Sequence, residues 1–331
     1  MEGWVYPDNE VEAHTDSNGE TILKLRSETG DGVITILDLM PGVAVLYNDF
    51  HMQKFLSQYS PVSGMLCLDH CREGRIEQMP RSGVYCYTGA GDLKIDTRMN
   101  HNSDFYFPLS HYHGMTIGFN LEIAENSIHE IMPGFPFTLV NLKQKFCKGD
   151  ECFFLRKEPA VEHIFSEMYH VPQSICKPYL QIKVLELLLW LGALDFSSQD
   201  DSRPYFYKEQ VEKVKAAQQL IAADLKRHFT IEELSRRFDI PSTTLKNNFK
   251  AMYGSSLYAY LRTLRMNRAA AMLKTSDKSI AEIANEVGYE NPSKFSAAFV
   301  SEMHMQPLEY RKTENPRPQW KDKDEETNAY A

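Results

Sequence analysis

Cysteine is scarce in this chain, with six residues among 331. That number is too small for the disulfide scaffold of a small secreted domain, so we expect free thiols and a core held by apolar packing. The spacings Cys67-x3-Cys71 and Cys147-x4-Cys152 match no common zinc motif with two paired halves. The sequence therefore predicts no bound metal and no cofactor.

Long apolar runs are also lacking. None reaches the ~18 residues that a membrane-spanning helix requires, and the longest candidate, residues 184–194, is interrupted by Glu186. The N-terminus, Met1-Glu-Gly-Trp-Val-Tyr, has no basic segment followed by an apolar one. We therefore expect a cytoplasmic protein with no membrane partner.

A length of 331 residues, 43% of them hydrophobic, allows two domains with separate cores.

Positive charge is scarce in the chain as a whole, whose net charge is −9, but it is concentrated in one part. Residues 208–312 contain 17 Lys and Arg against 12 Asp and Glu, whereas the remainder contains 19 against 33. A basic module joined to an acidic body predicts a nucleic-acid-binding half and a second half with another task.

The first half contains many short runs of β-branched and aromatic residues, separated by turn residues such as Gly30-Asp-Gly32 and ending with Phe137-Thr-Leu-Val140. Strands at this spacing predict a β-barrel or sandwich, and residues 124–131 are expected to form a short helix within it. A small barrel either fills its interior with side chains or holds one small ligand. Each aromatic residue or histidine, taken alone, is more often a core residue. The candidates for lining an effector pocket are Tyr47, His51, Tyr85, Tyr87, Phe105, Phe107, His111 and His113.

Helical spacing begins after Pro159 and predicts two amphipathic helices. Residues 180–194 are apolar on more than one face, which must be covered by the helix's own domain or by a second subunit, so a homodimer is expected. Residues 197–207 are polar and predict a linker. Residues 313–331 combine proline, charge and little apolar content, and they predict a disordered tail.

The last third of the chain contains an internal repeat, in which one helical unit occurs twice. The first copy begins at Thr230-x-x-Glu233 and the second at Ser279-x-x-Glu282, and each is predicted to be a capping box that starts a helix. A turn and a second helix follow in each copy. This helix-turn-helix arrangement places its second helix in the major groove of DNA, with the N-terminal residues at base edges.

Good helix formers fill residues 257–274 between the two copies. A helix of ~18 residues spans ~27 Å, which is close to one turn of DNA. The two recognition helices are therefore expected to enter successive major grooves.

Residues 280–311 resemble the C-terminal signature of AraC/XylS-type transcription regulators, which ends G-[YF]-x-[ND]-x-S-x-F-x-x-x-F-K-x-x-x-G-x-x-P-x-x-[YF]-R. The match includes Gly288-Tyr289 and Phe295-x-x-x-Phe299. Two positions depart from it, because Val300 stands where lysine is usual and His304 where glycine is usual. The resemblance covers about 100 residues.

The resemblance implies a set of DNA-contacting residues. Lysine can read guanine and asparagine can read adenine, whereas Pro292 and Ala297 offer only methyl-type contacts, so the first motif is expected to supply most of the sequence discrimination. The implied base-reading residues are Ser242, Thr243, Lys246 and Asn247 in the first motif, and Ser293 and Lys294 in the second. The candidates for phosphate contacts are Lys250, Arg262, Arg265 and Arg268.

The upstream half resembles the cupin-like effector domain of such regulators, through Gly89-Ala-Gly-Asp-Leu93. Cys71-Arg-Glu-Gly-Arg-Ile-Glu77 resembles a strand pair of the branch that includes pyochelin-responsive regulators. The metal-binding pattern of cupin enzymes is not visible near Gly89, which argues against an enzyme.

Together these observations predict an α+β multidomain protein with a cupin-like β-barrel or sandwich, a helical dimerisation segment and an all-α double helix-turn-helix. The domain boundaries are expected at 1–155, 156–196, 197–207, 208–312 and 313–331. We expect a transcription activator that binds double-stranded DNA through two major-groove contacts per subunit, with a small-molecule effector and RNA polymerase as further partners. Two alternatives stay open: a cupin-type metalloenzyme, or a sensor of a partner protein, each fused to a DNA-binding domain.

Overall fold

The structure, a computed structural model, describes residues 4–5, 10–16, 19–56, 58–59, 63–81, 83–99, 104–195 and 206–312. The chain divides into an N-terminal unit, which extends to Val211 and includes residues 251–254, and a C-terminal unit formed by the rest. The predicted tail at 313–331 and most of the predicted linker at 197–207 lie outside the described residues.

Among its described residues, the N-terminal unit contains the strands and four complete α-helices. Its strands are β1 (Trp4–Val5), β2 (Glu10–Thr15), β3 (Thr21–Ser27), β4 (Gly30–Met40), β5 (Val43–His51), β6 (Lys54–Leu56), β7 (Gln58–Tyr59), β8 (Met65–Arg81), β9 (Val84–Gly89), β10 (Asp92–Asp96), β11 (Asp104–Tyr106), β12 (Tyr112–Asn120), β13 (Phe153–Arg156) and β14 (Phe206–Tyr207). Its helices are α1 (Leu121–Ile131), α2 (Leu139–Phe146), α3 (Pro159–Tyr169) and α4 (Cys176–Ala193).

Antiparallel pairing joins most of these strands into one curled sheet, in the order β13-β10-β8-β12-β5-β4-β3-β2. The long strand β8 pairs with β10 and β12 along its first half and with β9 along its second half. β8 changes its pairing partner around Gly74, which has φ +79. A β-carbon at this position would clash with the His111 carbonyl. Glycine therefore allows β8 to bend from one ladder into the other.

The two faces of the sheet have different surroundings. One face packs against α1 to α4 in the main core, where Leu68, Ile117 and Phe119 from the strands meet Phe165 and Leu188 from the helices. The other face carries a separate apolar cluster and curls around a cavity. Successive side chains of a strand point to opposite faces, so each strand contributes to both environments.

Helix α4 is covered on several sides by its own unit. Leu180, Val184, Leu187 and Leu191 are buried there, while Ile182 is 63% exposed. Intramolecular packing thus accounts for most of the apolar character of this helix, and dimerisation through it stays a prediction.

The prediction of a strand at Phe137-Thr-Leu-Val140 is wrong, because these residues lead into α2. The Thr138 side chain accepts a hydrogen bond from the Asn141 N–H at 3.1 Å and caps α2 instead. The expected helix at 124–131 is confirmed as part of α1, whose N-cap is Asn120.

The C-terminal unit is helical. It comprises most of α5 (Lys208–Ala223) and most of α7 (Ser242–Tyr253), together with α6 (Ile231–Arg237), α8 (Leu257–Thr275), α9 (Ile280–Glu286), α10 (Pro292–Met303) and α11 (Pro307–Lys312). The pairs α6–α7 and α9–α10 are the two predicted helix-turn-helix motifs, and α8 connects them. At ~1.5 Å per residue, α8 is ~28 Å long.

The predicted α+β multidomain fold, with an N-terminal β domain and a C-terminal double helix-turn-helix, is confirmed. No helix in the described part of the chain combines the length and the apolar character needed to cross a membrane.

Candidate functional site

One side of α7 is anchored in the C-terminal unit and the other is open. Leu245 and Phe249 are fully buried on the anchored side. The open side presents Thr243, Lys246, Asn247 and Lys250, whose spacing of three and four residues places them on one stripe. We call these four residues the recognition face. Ser242, in the first turn, is partly exposed.

The start of α10 is fixed by a side-chain cap. The Asn291 Oδ1 accepts hydrogen bonds from the backbone N–H of Ser293 at 2.8 Å and of Lys294 at 3.3 Å. Phe295 and Phe299 anchor the helix by complete burial. Ser293 and Lys294 are consequently exposed in its first turn, together with Ala297 one turn later. This surface offers one charged side chain, whereas the recognition face of α7 offers two.

The capping boxes differ between the copies. In α9 the box is complete, because the Ser279 hydroxyl accepts from the Glu282 N–H and the Ser279 N–H donates to the Glu282 carboxylate at 2.7 Å. In α6 only half of it forms. Thr230 accepts from the Glu233 N–H at 3.1 Å, but the Glu233 carboxylate pairs with Arg227 instead.

Arg265 is not available to a phosphate, and its prediction as a phosphate contact is wrong. It is 4% exposed and donates a hydrogen bond from Nε to the Leu225 carbonyl at 2.8 Å. A longer contact of 3.5 Å reaches the Arg227 carbonyl, and the guanidinium lies 5.7 Å from the centroid of the Tyr289 ring. Burial lowers the pKa of this guanidinium. Arg265 therefore ties α8 to the loop before α6 and to the turn of the second motif.

Gly288 leaves the space that the contact between Arg265 and the Leu225 carbonyl needs. It has φ +87, and a β-carbon there would approach the Leu225 carbonyl oxygen to 2.5 Å and the Arg265 guanidinium to 2.8 Å. The equivalent turn residue of the first motif, Asp239, has φ +49. Both turns thus use a left-handed residue, but only the second has no room for a side chain.

The other predicted phosphate contacts are placed differently. Arg268 and Lys250 are exposed. The side chain of Arg262 is 40% exposed, and its Nη2 forms an ion pair with Glu302 at 2.6 Å. The hydroxyl of Thr263 donates to the same carboxylate at 3.0 Å, so Glu302 links α8 to α10. A phosphate would have to compete with this carboxylate for Arg262.

The structure shows the backbone conformation at one of the two positions that depart from the AraC/XylS-type signature. His304 follows α10 as its C-cap in the left-handed conformation, with φ +55. Glycine adopts this conformation without steric cost, whereas a residue with a β-carbon does not. The backbone keeps the geometry that glycine favours even though histidine occupies the position.

A cavity of about 700 Å³ lies on the curled side of the sheet, within the N-terminal unit. Among the predicted pocket residues, only Phe105 and Phe107 line it. They join Phe50, Phe55 and Tyr112 in a cluster of aromatic rings at one end of the cavity.

Six predicted pocket residues lie elsewhere. Tyr47 and His113 point to the helix-covered face, where their rings lie 6.4 and 5.8 Å from that of Tyr169. The Tyr87 hydroxyl donates to Glu77 at 2.7 Å, and Tyr85 is on the β9 edge that pairs with β14. His51 is exposed beside Asp49, and the Nδ1 of His111 lies 3.0 Å from the Leu109 carbonyl before β12 begins. For the five of these residues that lie in strands, alternation along the strand directs the side chain away from the cavity.

Four charged residues that the sequence analysis missed line or adjoin the cavity, and three of them are buried while Arg98 is partly buried. Arg98 contacts Asp69 at 2.6 Å and Asp96 at 3.4 Å, while Lys94 pairs with Asp96 and lies 3.7 Å from Asp69. We call these four residues the ion network. Its sequence signal is weak, because charges that alternate with apolar residues in β10 normally indicate a strand with one face in solvent.

Burial is the largest single effect on the pKa of the Lys94 ammonium and lowers it, but the neighbouring acidic groups, Asp96 first among them, together outweigh burial and raise the pKa. The pKa of the Arg98 guanidinium is raised in the same way, with Asp69 as the main counter-charge. Both cations therefore remain charged inside the unit. Thr116 extends the network by donating to Asp69 at 2.7 Å and accepting from the Asn48 amide at 3.1 Å.

All six cysteines are free thiols. Within the part of the chain that the structure describes, no three His, Cys, Asp or Glu side chains are grouped as metal ligands.

A family match addresses the C-terminal part of the chain. Residues 234–313 match the family described as "Helix-turn-helix domain". The lactose operon transcription activator of Staphylococcus xylosus is 26% identical over 155 residues, which are 44% of this chain and 55% of that protein. The transcriptional activator RhaR of Yersinia pseudotuberculosis is 31% identical over 103 residues, or 31% of this chain and 34% of that protein.

Among solved structures, the C-terminal domain of AraT from Geobacillus stearothermophilus is 31% identical, with a TM-score of 0.29, and the match covers 30% of this chain and 83% of that one. The chain thus spans about half of the length of the first curated relative and about a third of the second. The family match at residues 234–313 begins within α6 and covers the rest of the first helix-turn-helix motif, the connecting helix α8 and the second motif. The C-terminal part of this chain is an AraC-type helix-turn-helix domain.

Proposed function

We propose that the protein is a sequence-specific DNA-binding transcription regulator that acts as an activator. The observation that carries the proposal is the recognition face of α7, which presents Lys246 and Asn247 beside each other on the open side of an otherwise anchored helix. These two side chains have the hydrogen-bonding groups that read guanine and adenine in the major groove. The curated relatives named above are activators by name, which supports the sign of regulation.

The test is selection of preferred duplexes from a random DNA pool, followed by binding of variants to the selected sequence. Asn247→Ala is expected to weaken binding by about 1–3 kcal/mol and to relax the base preference at one position. Lys246→Ala should also weaken binding and should relax the base preference at a neighbouring position. Gln219→Ala, which removes an exposed amide from α5, is the matched control and should change neither quantity. Unchanged base preference in both recognition-face variants would refute the proposed role of α7.

Lys250 and Arg268 are proposed to contact phosphates rather than bases. Replacing either with alanine should reduce the slope of log affinity against log salt by about 1 and leave the base preference unchanged. Arg262→Ala should have a smaller effect on that slope, because Glu302 already neutralises Arg262. A change in base preference without a change in slope would reverse these assignments.

We further propose that the DNA-binding domain spans residues 208–312 and that the protein acts as a homodimer with RNA polymerase as a partner. We also propose that a small-molecule effector in the cavity controls the regulator. The size of the cavity supports the effector, since ligand pockets commonly have volumes of about 300–1,000 Å³. Reporter transcription from a selected operator, measured with and without candidate effectors, tests this part. A partner-protein sensor and a metalloenzyme remain the alternative hypotheses for the N-terminal unit.

A further inference from the structure

Two polar atoms at the cavity have no hydrogen-bond partner among the described residues: the Oγ1 of Thr88 and the Oε1 of Gln78. Thr88 is 1% exposed. In the β8–β9 ladder Ile76 pairs with Thr88 and Gln78 pairs with Cys86, so Thr88 and Gln78 share one face of the ladder. Buried polar groups in proteins normally have partners. A molecule in the cavity could supply both missing partners with a single hydroxyl or amide group.

The charges around the cavity balance. The ion network contains two carboxylates and two cations that satisfy one another. The other charged lining residues, Asp38 and Lys177, are exposed and opposite in sign. A ligand with a net charge would find no uncompensated partner and would lose its hydration, which is unfavourable in a buried site. The cavity therefore favours an uncharged molecule.

Part of the remaining wall is aromatic, and the rest is formed largely by aliphatic side chains such as Ile34, Ile36 and Leu46. The rings of Phe50 and Phe107 are stacked with centroids 5.1 Å apart, and those of Phe55 and Phe105 are stacked at 6.4 Å. Tyr112 lies 5.9 Å from Phe107. Flat apolar surfaces of this kind pack well against a planar ring system.

We propose that the cavity binds an uncharged, planar aromatic molecule with a hydrogen-bonding group that donates to the Gln78 Oε1 and accepts from the Thr88 hydroxyl. This inference specifies the chemical class of the effector and rests on the proposed function only for the effect of that molecule on DNA binding. Binding itself is an independent property of the N-terminal unit.

The test uses two fluorescent probes that share one ring skeleton, titrated into the full-length protein. N-phenyl-1-naphthylamine is uncharged and has an N–H donor, whereas 1-anilinonaphthalene-8-sulfonate adds a negative charge. The uncharged probe is expected to bind at least about 10-fold more tightly, which corresponds to about 1.4 kcal/mol. Equal or tighter binding of the sulfonate would overturn the proposal.

Three variants locate the binding. Gln78→Leu should weaken the uncharged probe about 5-fold or more, and Gln144→Leu, an exposed position on α2, is its control. Asp69→Asn removes one negative charge from the ion network and should shift the preference towards the sulfonate. Ala44→Phe, at the cavity wall, should abolish binding of both probes, with circular dichroism to check folding. Binding that survives Ala44→Phe in a folded protein places the probes elsewhere and refutes the inference.

DNA affinity measured on the same samples separates the two proposals. Failure of probe binding with intact operator recognition refutes only the ligand class. Normal probe binding without operator recognition refutes only the regulator.

Discussion

At the scale of the single residue, Arg265 acts as a structural clamp that holds α8 to the loop before α6. Arg265→Met should destabilise the C-terminal unit by about 1–3 kcal/mol, because it leaves the Leu225 carbonyl without its buried donor. Arg265→Lys should not restore stability, since an ammonium cannot reproduce the planar guanidinium geometry. Chemical denaturation monitored by helical circular dichroism measures the loss, and the exposed Arg268→Met is the control. Equal stability of the two methionine variants would contradict the clamp.

His304 is a site where the natural residue is not the most favourable one. His304→Gly should stabilise the protein by about 1 kcal/mol, because it removes the cost of a β-carbon in the left-handed conformation. Thermal unfolding should show a higher midpoint for this variant. His304→Ala should bring no such gain, and a gain from alanine equal to that from glycine would show that the backbone conformation is not the cause.

At the scale of the element, the two motifs start with unequal caps. Ser279→Ala removes the two hydrogen bonds of the Ser279 hydroxyl, one accepted from the Glu282 N–H and one donated to the Glu282 carboxylate, and should weaken α9 by about 1 kcal/mol or more. Thr230→Ala removes one hydrogen bond from α6. Hydrogen exchange of the amides in each helix measures the two losses separately. Ser301→Ala, at an exposed position of α10, is expected to change neither. A greater loss in α6 than in α9 would contradict the assigned difference.

The cap of α9 should also respond to pH. Hydrogen bonds from the Ser279 hydroxyl and backbone N–H lower the pKa of the Glu282 carboxyl. Its contribution is therefore present above the ordinary carboxyl pKa of about 4.5 and is lost as the pH falls through the lowered value. The difference between wild type and Ser279→Ala should shrink under acid conditions, and a constant difference from neutral to acid pH would contradict this role of Glu282.

The helical elements could be predicted in more detail than the sheet. Apolar spacing and local caps such as Ser279 and Asn291 determine a helix within a few residues, so the two motifs were predictable. The cavity was not, because its lining depends on which face of each strand turns inward, and that depends on pairing register between distant segments. Tyr47 and His113 illustrate the difficulty, since their chemistry suits a pocket but their strand positions face the helices. Arg265 was likewise indistinguishable from Arg268 in sequence, although one is buried and the other exposed.

At the scale of the whole molecule, effector and DNA must influence each other reciprocally if the proposed regulation holds. An effector that raises operator affinity by a given factor must itself bind more tightly by the same factor when the operator is present. Titrating the effector with and without saturating operator, and the operator with and without effector, checks this equality. Effector affinity that does not change with operator, in a protein whose operator affinity does change with effector, would rule out a simple two-site linkage.

The balanced ion network has a consequence for how the protein responds to its surroundings. An uncharged ligand that enters a neutral site displaces no counterions, whereas every phosphate contact made by the basic C-terminal unit does. Changes in salt concentration would therefore adjust occupancy of the operator while leaving occupancy of the cavity nearly constant. The chain would then report two separate quantities to transcription: the concentration of a neutral metabolite, and the osmotic state of the cell.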